Sequence, residues 1–295
     1  MKTLSGLCLC LFLFACGGQQ NGDHEGTTKD TLAADPEPNA VEMVNIGGKL
    51  FNVPSPAQTA IAIRKAGLKY QKDLTAPLEK GETVTGKLAQ SMALGVYGAD
   101  LAYVTVHKDG QRALATMQAI EKLGGKLEVT NAFDRALIER FKSNMGNEDS
   151  LLQFSGRAFR AADQYLKNNK RDDVSALVLA GGWIESLHLT LSDPAAMNDQ
   201  ALVSRIGEQK NTLNGLVDLI EATDQDKSAV QVLKAMKELQ AHFAGVTSTY
   251  TYEKPVTEPA KKTTFINSTS SVSISPESLA AIVSTVSSIR SMILA

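Results

Sequence analysis

The sequence predicts an all-α fold: a helical bundle of eight or nine helices, with a short Thr/Ser-rich extended or β-hairpin arm before the last helix. Three observations carry this. Val174–Leu191 (VSALVLAGGWIESLHLTL) is the most apolar run beyond the N-terminus and holds the single tryptophan, Trp183. A helix apolar nearly all round belongs at the buried centre of a helical domain. On either side of it, segments with apolar residues at helical spacing are joined by short connections, the mark of a bundle. From Thr247 to Ser275 the chain turns to Thr and Ser in short alternating pieces, TYTYEKPV and TTFINSTSSVSIS, which read as strand.

The central run is also long enough, at roughly 27 Å as a helix, to raise the question of a membrane span. Glu185 near its middle argues against one, because a central carboxylate costs ~2.5 to 3.5 kcal/mol on insertion. The dense charged stretch KNNKRDD precedes it.

Taken in order, Met43–Val53 alternates loosely around Gly47-Gly48 and predicts a short strand or hairpin. Ser55-Pro56 opens a helix to about Gln71, serine as N-cap and proline as first helical residue. A long helix is expected over Thr83–His107, and another over Gln111–Leu123 that stops at Gly124-Gly125. Asn131 caps a helix ending at Gly146, and a further one runs from about Asp149 to Leu166. The central helix starts near Asp172, with carboxylates in its first turn where the helix dipole favours them, and Ser192-Asp193-Pro194 ends it. Asn198 caps a helix to about Ala222, and Ser228–Ala244 forms the next. Ser275-Pro276 opens the last, with Leu279, Ile282, Val283, Val286, Ile289, Ile293 and Leu294 on an apolar stripe that should dock rather than face water.

The chain of 295 residues, 43% hydrophobic and 21% charged, can bury one sizeable core. A net charge of −2 gives no electrostatic case for nucleic acid, and 5% aromatics leave little for base stacking. The N-terminus carries the strongest signal. Lys2 precedes the short apolar stretch Leu7–Phe14, and the segment closes Leu13-Phe14-Ala15-Cys16-Gly17, which looks like a bacterial lipobox. Residues 1–15 then form a lipoprotein signal peptide, and Cys16 carries the lipid. Cys8 and Cys10 leave with that peptide, so the mature chain needs no disulfide. Attached acyl chains contribute ~0.8 kcal/mol per buried CH₂. The stretch 16–41 reads as a polar tether with a mean reach of roughly 25 to 30 Å, followed by a bundle domain over 42–246, an arm over 247–275 and a C-terminal helix over 276–295.

Five segments, FNVPSPAQTAIAIRKAGLKY, LGVYGADLAY, FDRALIERFKSNMGNEDSLL, AFRAADQYLKNN and DVSALVLAGGWIESL, together resemble an uncharacterised family of helical lipoproteins of Bacteroidetes-type bacteria. The resemblance covers most of Val41–Asp193 and implies a Gram-negative envelope, at the outer membrane. It implies no activity. It also makes Asp30-Thr31-Leu32 a candidate O-glycosylation site at Thr31, with Asp149-Ser150-Leu151 a second match to the same Asp-Ser/Thr-apolar pattern.

Chemistry is scarcer. Gly95 and Gly98 in one helix, and Gly181 and Gly182 in the central one, each cost up to ~1 kcal/mol against alanine. Close backbone approach is the favoured compensation; a ligand pocket beside the helices is the rival. Tyr97, Asp100, Tyr103 and His107 fall on one stripe, while Glu185 and His188 are neighbours at i and i+3. Glu-x-x-His is the spacing of carboxylate-bridged di-iron bundles, but it occurs once, with Glu238 and His242 only a loose second half. No G-x-S-x-G elbow and no mature cysteine nucleophile exists. Asp100 with Glu185 as a glycosidase-like acid pair and a single metal or haem on His188 remain minor readings. The favoured one is a satisfied polar network of Tyr97, Asp100, Tyr103, Glu185 and His188, with Arg157 or Arg160 as counter-charge, since buried charges are normally paired. Asp224-Gln225-Asp226 reads as a turn and cap rather than a calcium loop. The expectation is a lipid-anchored, non-catalytic scaffold or accessory subunit that binds membrane through its lipid and an envelope protein as partner. It calls for no metal, no cofactor and no nucleic acid. The alternative is a small-molecule, metal or haem-binding module with its pocket between the two glycine-containing helices.

Overall fold

A computed structural model of the protein describes residues 43–46, 49–129, 139, 143 and 164–295, of which 43–46 and 49–52 are described by backbone alone. The expected signal peptide and tether, with Cys16 and Thr31, lie outside these residues. So do Ser150, Arg157, Arg160, the helix expected over 131–146 and most of that over 149–166, of which 164–168 is helical. All described residues belong to one compact unit, Pro38–Ala295, which is mostly helical with a small strand region before the last helix.

The chain enters through a hairpin of β1 (Met43–Ile46) and β2 (Lys49–Asn52), antiparallel with Val44 opposite Phe51. Helix α1 (Pro56–Lys65) begins as the sequence predicts, Ser55 accepting a hydrogen bond from the Gln58 amide. It stops six residues earlier than expected. Gly67 takes φ +75°, and the Gly67 and Leu68 amides donate back to the Arg64 and Ile63 carbonyls, the Schellman ending that a left-handed residue closes. The segment that follows is irregular apart from a 3₁₀ turn (Lys72–Leu74) and the single turn α2 (Lys80–Thr83). The long helix expected from Thr83 therefore starts later: Gly86, at φ +80°, turns the chain into α3 (Lys87–Val106).

Helix α4 (Gly110–Lys126) is capped by Asp109, which accepts from the Arg112 amide. It does not stop at Gly124-Gly125, which lie inside it. Its end is set by Glu128 at φ +59°, with the Val129 amide donating to the Gly124 carbonyl. Buried Leu127 and Val129 hold that left-handed turn in place of a glycine. Helix α5 (Asp172–Leu191) is the central run. It is long and apolar enough to cross a bilayer by length and composition, but 83% of its apolar window is buried inside the domain. Helix α6 (Gln200–Thr223) is capped by Asp199, one residue beyond the expected Asn198, because the Asp199 carboxylate reaches the Leu202 amide. Asp224 and Asp226 accept from the backbone and hydroxyl groups of 228–229 and so form the turn into α7 (Val230–Phe243).

The Thr/Ser-rich arm is a β-ribbon. β3 (Thr247–Thr251) pairs antiparallel with β6 (Thr269–Ser273), and β4 (Val256–Glu258) with β5 (Thr263–Phe265). Ser275 then caps α8 (Pro276–Ile293), whose Ile282, Val286, Ile289 and Ile293 are buried against α7, α5 and α3. The last helix is thus docked.

At the centre α3 and α5 lie side by side. The pairs Lys87–Asp173, Gly95–Gly182 and Asp100–Glu185 advance together along both segments, so the two helices run parallel. They touch backbone to backbone: a Cβ on Gly95 would sit 2.0 Å from the Val178 carbonyl oxygen, and one on Gly181 2.0 Å from that of Met92. α1 and α4 cover α3, while α6 and α8 flank α5. Gly95→Ala or Gly181→Ala is expected to lower unfolding free energy by about 3 kcal/mol, the upper end of overpacking costs. Gly125→Ala, which meets nothing within 4 Å, should raise it by about 0.5 to 1 kcal/mol. Urea unfolding of the three variants checks both signs.

Candidate functional site

The polar residues predicted from sequence are buried, but they fall into two groups with different partners. One group centres on Glu185, fully enclosed on α5. Its carboxylate receives a two-pronged bond from Arg290 of α8, Nε to Oε2 at 2.5 Å and Nη2 to Oε1 at 2.9 Å. The counter-charge therefore comes from the last helix. The fork geometry is the strong form of this pairing. Burial works against the Arg290 charge, yet the Glu185 carboxylate beside it raises the guanidinium pKa above its ordinary value.

Asp100 of α3 completes this group. Its Oδ2 accepts from the Ala76 amide at 2.8 Å, whereas Oδ1 meets no N–H or hydroxyl donor. Burial, and next the Glu185 carboxylate, push the Asp100 carboxyl well above the usual range, against the Ala76 amide and Arg290, which pull it down. The raised pKa favours the protonated form of Asp100, which removes one of two like charges from an apolar interior. Asp100 is accordingly held as a neutral acid beside Glu185, whose two oxygens Arg290 engages.

The second group holds the irregular segment 66–79. Buried backbone groups there have no helix or sheet to satisfy them, and each left unpaired would be costly. Side chains supply the partners. Tyr97 donates its hydroxyl to the Pro77 carbonyl at 2.6 Å, and Tyr103 accepts from the Gln71 amide at 3.0 Å. Arg112 donates to the Ala76 carbonyl and the Thr75 hydroxyl, and Arg290 to the Leu74 carbonyl. Burial raises the Tyr97 pKa, keeping the phenol neutral and fit to donate. Tyr70 donates to Asp109 at 2.7 Å and stacks with His107, which also packs on Tyr103. Burial lowers the His107 pKa, and its Nδ1 lies 3.0 Å from the Tyr103 carbonyl, a geometry that makes Nδ1 the protonated nitrogen of a neutral ring.

His188 lies beside the first group, next to Glu185, Arg290 and the Leu74 carbonyl. It is half-buried, burial lowers its pKa against the pull of Glu185, and its Nδ1 lies 3.4 Å from the Ser192 hydroxyl. Among the described residues no cluster of three or more His, Cys, Asp or Glu side chains is placed to hold a metal. Glu238 and His242 make a loose pair of their own on α7. The glycine-containing faces of α3 and α5 are filled by each other's backbone. A pocket does open near Trp183, between α1, α5 and α6, with Pro54, Leu202 and Arg205 on its wall. Its free volume is ≈ 30 Å³, room for a water or two rather than the ~300 Å³ of a ligand site.

Sequence reasoning placed Tyr97, Asp100, Tyr103 and Glu185 in a polar network and missed Arg290 and Arg112. The signal that would have found Arg290 is that it is the single cation on α8, in the last turn of an otherwise apolar helix. No family model matches the chain, and no curated protein or solved structure matches it either.

The two carboxyl groups are not equivalent, and their variants should differ. Glu185→Gln leaves the Arg290 cation buried without its charge partner and should cost about 3 to 5 kcal/mol. Asp100→Asn keeps a donor toward Glu185 and an acceptor for the Ala76 amide, so it should cost less than about 1.5 kcal/mol. Because the folded pKa of Asp100 is raised, the stability it contributes is fully present below the ordinary aspartate range. That contribution is lost as pH rises through the raised value. Melting temperatures measured from pH 5 to 9 should fall more steeply toward alkaline pH for the parent chain than for Asp100→Asn. Parallel curves would show that Asp100 is not the protonated partner.

Proposed function

We propose that this chain is a lipid-anchored cell-envelope protein, held at the outer membrane through Cys16, that acts as a non-catalytic scaffold or accessory subunit for another envelope protein. One observation supports the non-catalytic part above all others. The central polar residues are engaged in holding the fold: Glu185 with Arg290, Asp100 with Glu185 and Ala76, and Tyr97 and Tyr103 with the backbone of 71–77. A carboxyl pair set for general acid and base work needs a cleft that admits substrate and water between its members. Here the pair is closed by an arginine from the terminal helix. The anchoring part is supported by the lipobox-like Leu13–Gly17 and by the resemblance to helical lipoproteins of Bacteroidetes-type bacteria. On this reading the bundle is a stable body and its surface features meet the partner.

Two measurements test the proposal. Crosslinking in native membranes should recover one envelope protein in fixed ratio to this chain; recovery of the chain alone counts against a partner-binding role. Cys16→Ala should abolish incorporation of labelled palmitate and release the domain from the membrane fraction. Retained label in that variant would sink the anchor.

A further inference from the structure

The ribbon β3–β6 is the one part of the described chain that shows a run of large apolar side chains to water. Tyr250 is 66% exposed, Tyr252 67%, Val256 52% and Ile266 76%, with Phe265 beside them at 43%. An isolated two-stranded ribbon is marginal in water at best, and contiguous exposed apolar surface of this kind marks an interaction site.

The ribbon has two unlike faces. Side chains alternate along a strand, so Thr249 lies opposite in direction to Tyr250, and Thr257 to Val256. The polar side of each ladder is a hydroxyl pair, Thr249 with Ser271 at 3.0 Å and Thr257 with Thr264 at 3.1 Å. On the other side Tyr250 stands in one ladder and the cross-strand pair Val256 and Phe265 in the next. Lys254 and Lys262 lie exposed on the same ribbon, and among the described residues neither pairs with a carboxylate, whereas Lys261 pairs with Glu258. Aromatic rings, aliphatic side chains and unpaired lysines on a narrow amphipathic element are the chemistry of a bilayer interface, where rings sit at headgroup level and ammonium groups meet phosphate.

Position supports the same occupant. Val272, at the ribbon's base, seats on Gly207 of α6, where an added Cβ would meet it at 2.5 Å. Pro54, just after the entry hairpin, shares a pocket wall with Leu202, Arg205, Ile206 and Gln209 of the same helix. The ribbon and the point where the chain arrives from Cys16 therefore both rest on the stretch 202–209 of α6. The sequence reads the intervening residues as a tether reaching roughly 25 to 30 Å, which keeps the ribbon close to whatever surface holds the lipid. We propose that the ribbon Thr247–Ser273 is a second membrane contact, its exposed Tyr250, Tyr252, Phe265 and Ile266 side chains seated among anionic lipid headgroups. This rests on the lipid-anchor reading and adds an orientation to it: the end of the domain bearing 202–209 faces the bilayer.

The test uses the unlipidated chain from Gly17 onward, which keeps the whole compact unit Pro38–Ala295. It is floated with vesicles of phosphatidylethanolamine and phosphatidylglycerol, beside a variant carrying Tyr250→Ser, Tyr252→Ser, Phe265→Ser and Ile266→Ser. The parent chain is expected to float and the variant to lose about tenfold of the bound fraction at an unchanged melting temperature. A fluorophore on Ile266→Cys should shift to the blue on adding vesicles, while one on Lys234→Cys of α7 should not. Equal flotation of parent and variant, or none of either, overturns the inference. So does concentration-dependent dimerisation that the four substitutions abolish without any vesicle binding, since the face would then meet a second copy. Palmitate labelling of Cys16 in the full chain is read separately. Label without flotation removes the ribbon contact alone, and flotation without label removes the anchor alone.

Discussion

The fold rests on the direct meeting of two helix backbones. Where α3 and α5 touch at Gly95, Gly181 and Gly182 there is no side-chain layer between them. The usual 8 to 10 Å separation of packed helices is given up at these residues. The loss of helix propensity at each glycine is offset by the backbone contact that the missing side chains allow there. The parallel course of α3 and α5 then fixes what lies one to two turns beyond. Asp100 and Glu185 are brought face to face in an apolar interior, and two like charges cannot both survive there. A proton on Asp100 and a single arginine are the solution.

That solution also organises the most irregular part of the domain. Residues 66–79 lie along the edge of the core, dipping into it at Leu68, Thr75 and Ala76, with too little regular structure to satisfy their own amides and carbonyls. Side chains from three helices do it for them: Asp100, Tyr97 and Tyr103 from α3, Arg112 from α4, and Arg290 from α8. The stripe of polar residues on α3 is thus the inner half of a loop clamp. Its members look like a site in the sequence because loop clamps and active sites use the same residue types. They are told apart by where the hydrogen bonds end: here most end on this chain's own backbone, and among the described residues the buried side-chain atoms without a partner are Asp100 Oδ1, Thr105 Oγ1 and His107 Nε2.

Much of the helical framework was legible from local patterns. The central run, the last helix with its Ser275-Pro276 start and the β-ribbon are where periodicity and capping put them. The reading went wrong where a tertiary contact overrides a local signal. Gly124-Gly125 reads as a helix end, but buried Leu127 and Val129 carry α4 past it and close it on Glu128 instead. Asn198 and Asp199 are both good caps, and only the carboxylate that reaches Leu202 is used. The polar network was legible in its residues and illegible in its partner, because Arg290 stands 105 residues from Glu185 and nothing in either segment refers to the other.

The distance in sequence between those partners sets an order of events. Arg290 joins Glu185, 105 positions before it, and the carbonyl of Leu74, 216 positions before it. Contacts of such separation carry the largest loop-closure cost and form late. Until α8 docks, α3 and α5 hold their facing acids with no arginine beside them. The core closes only when α8 docks, and until then the surface that α8 covers stays open.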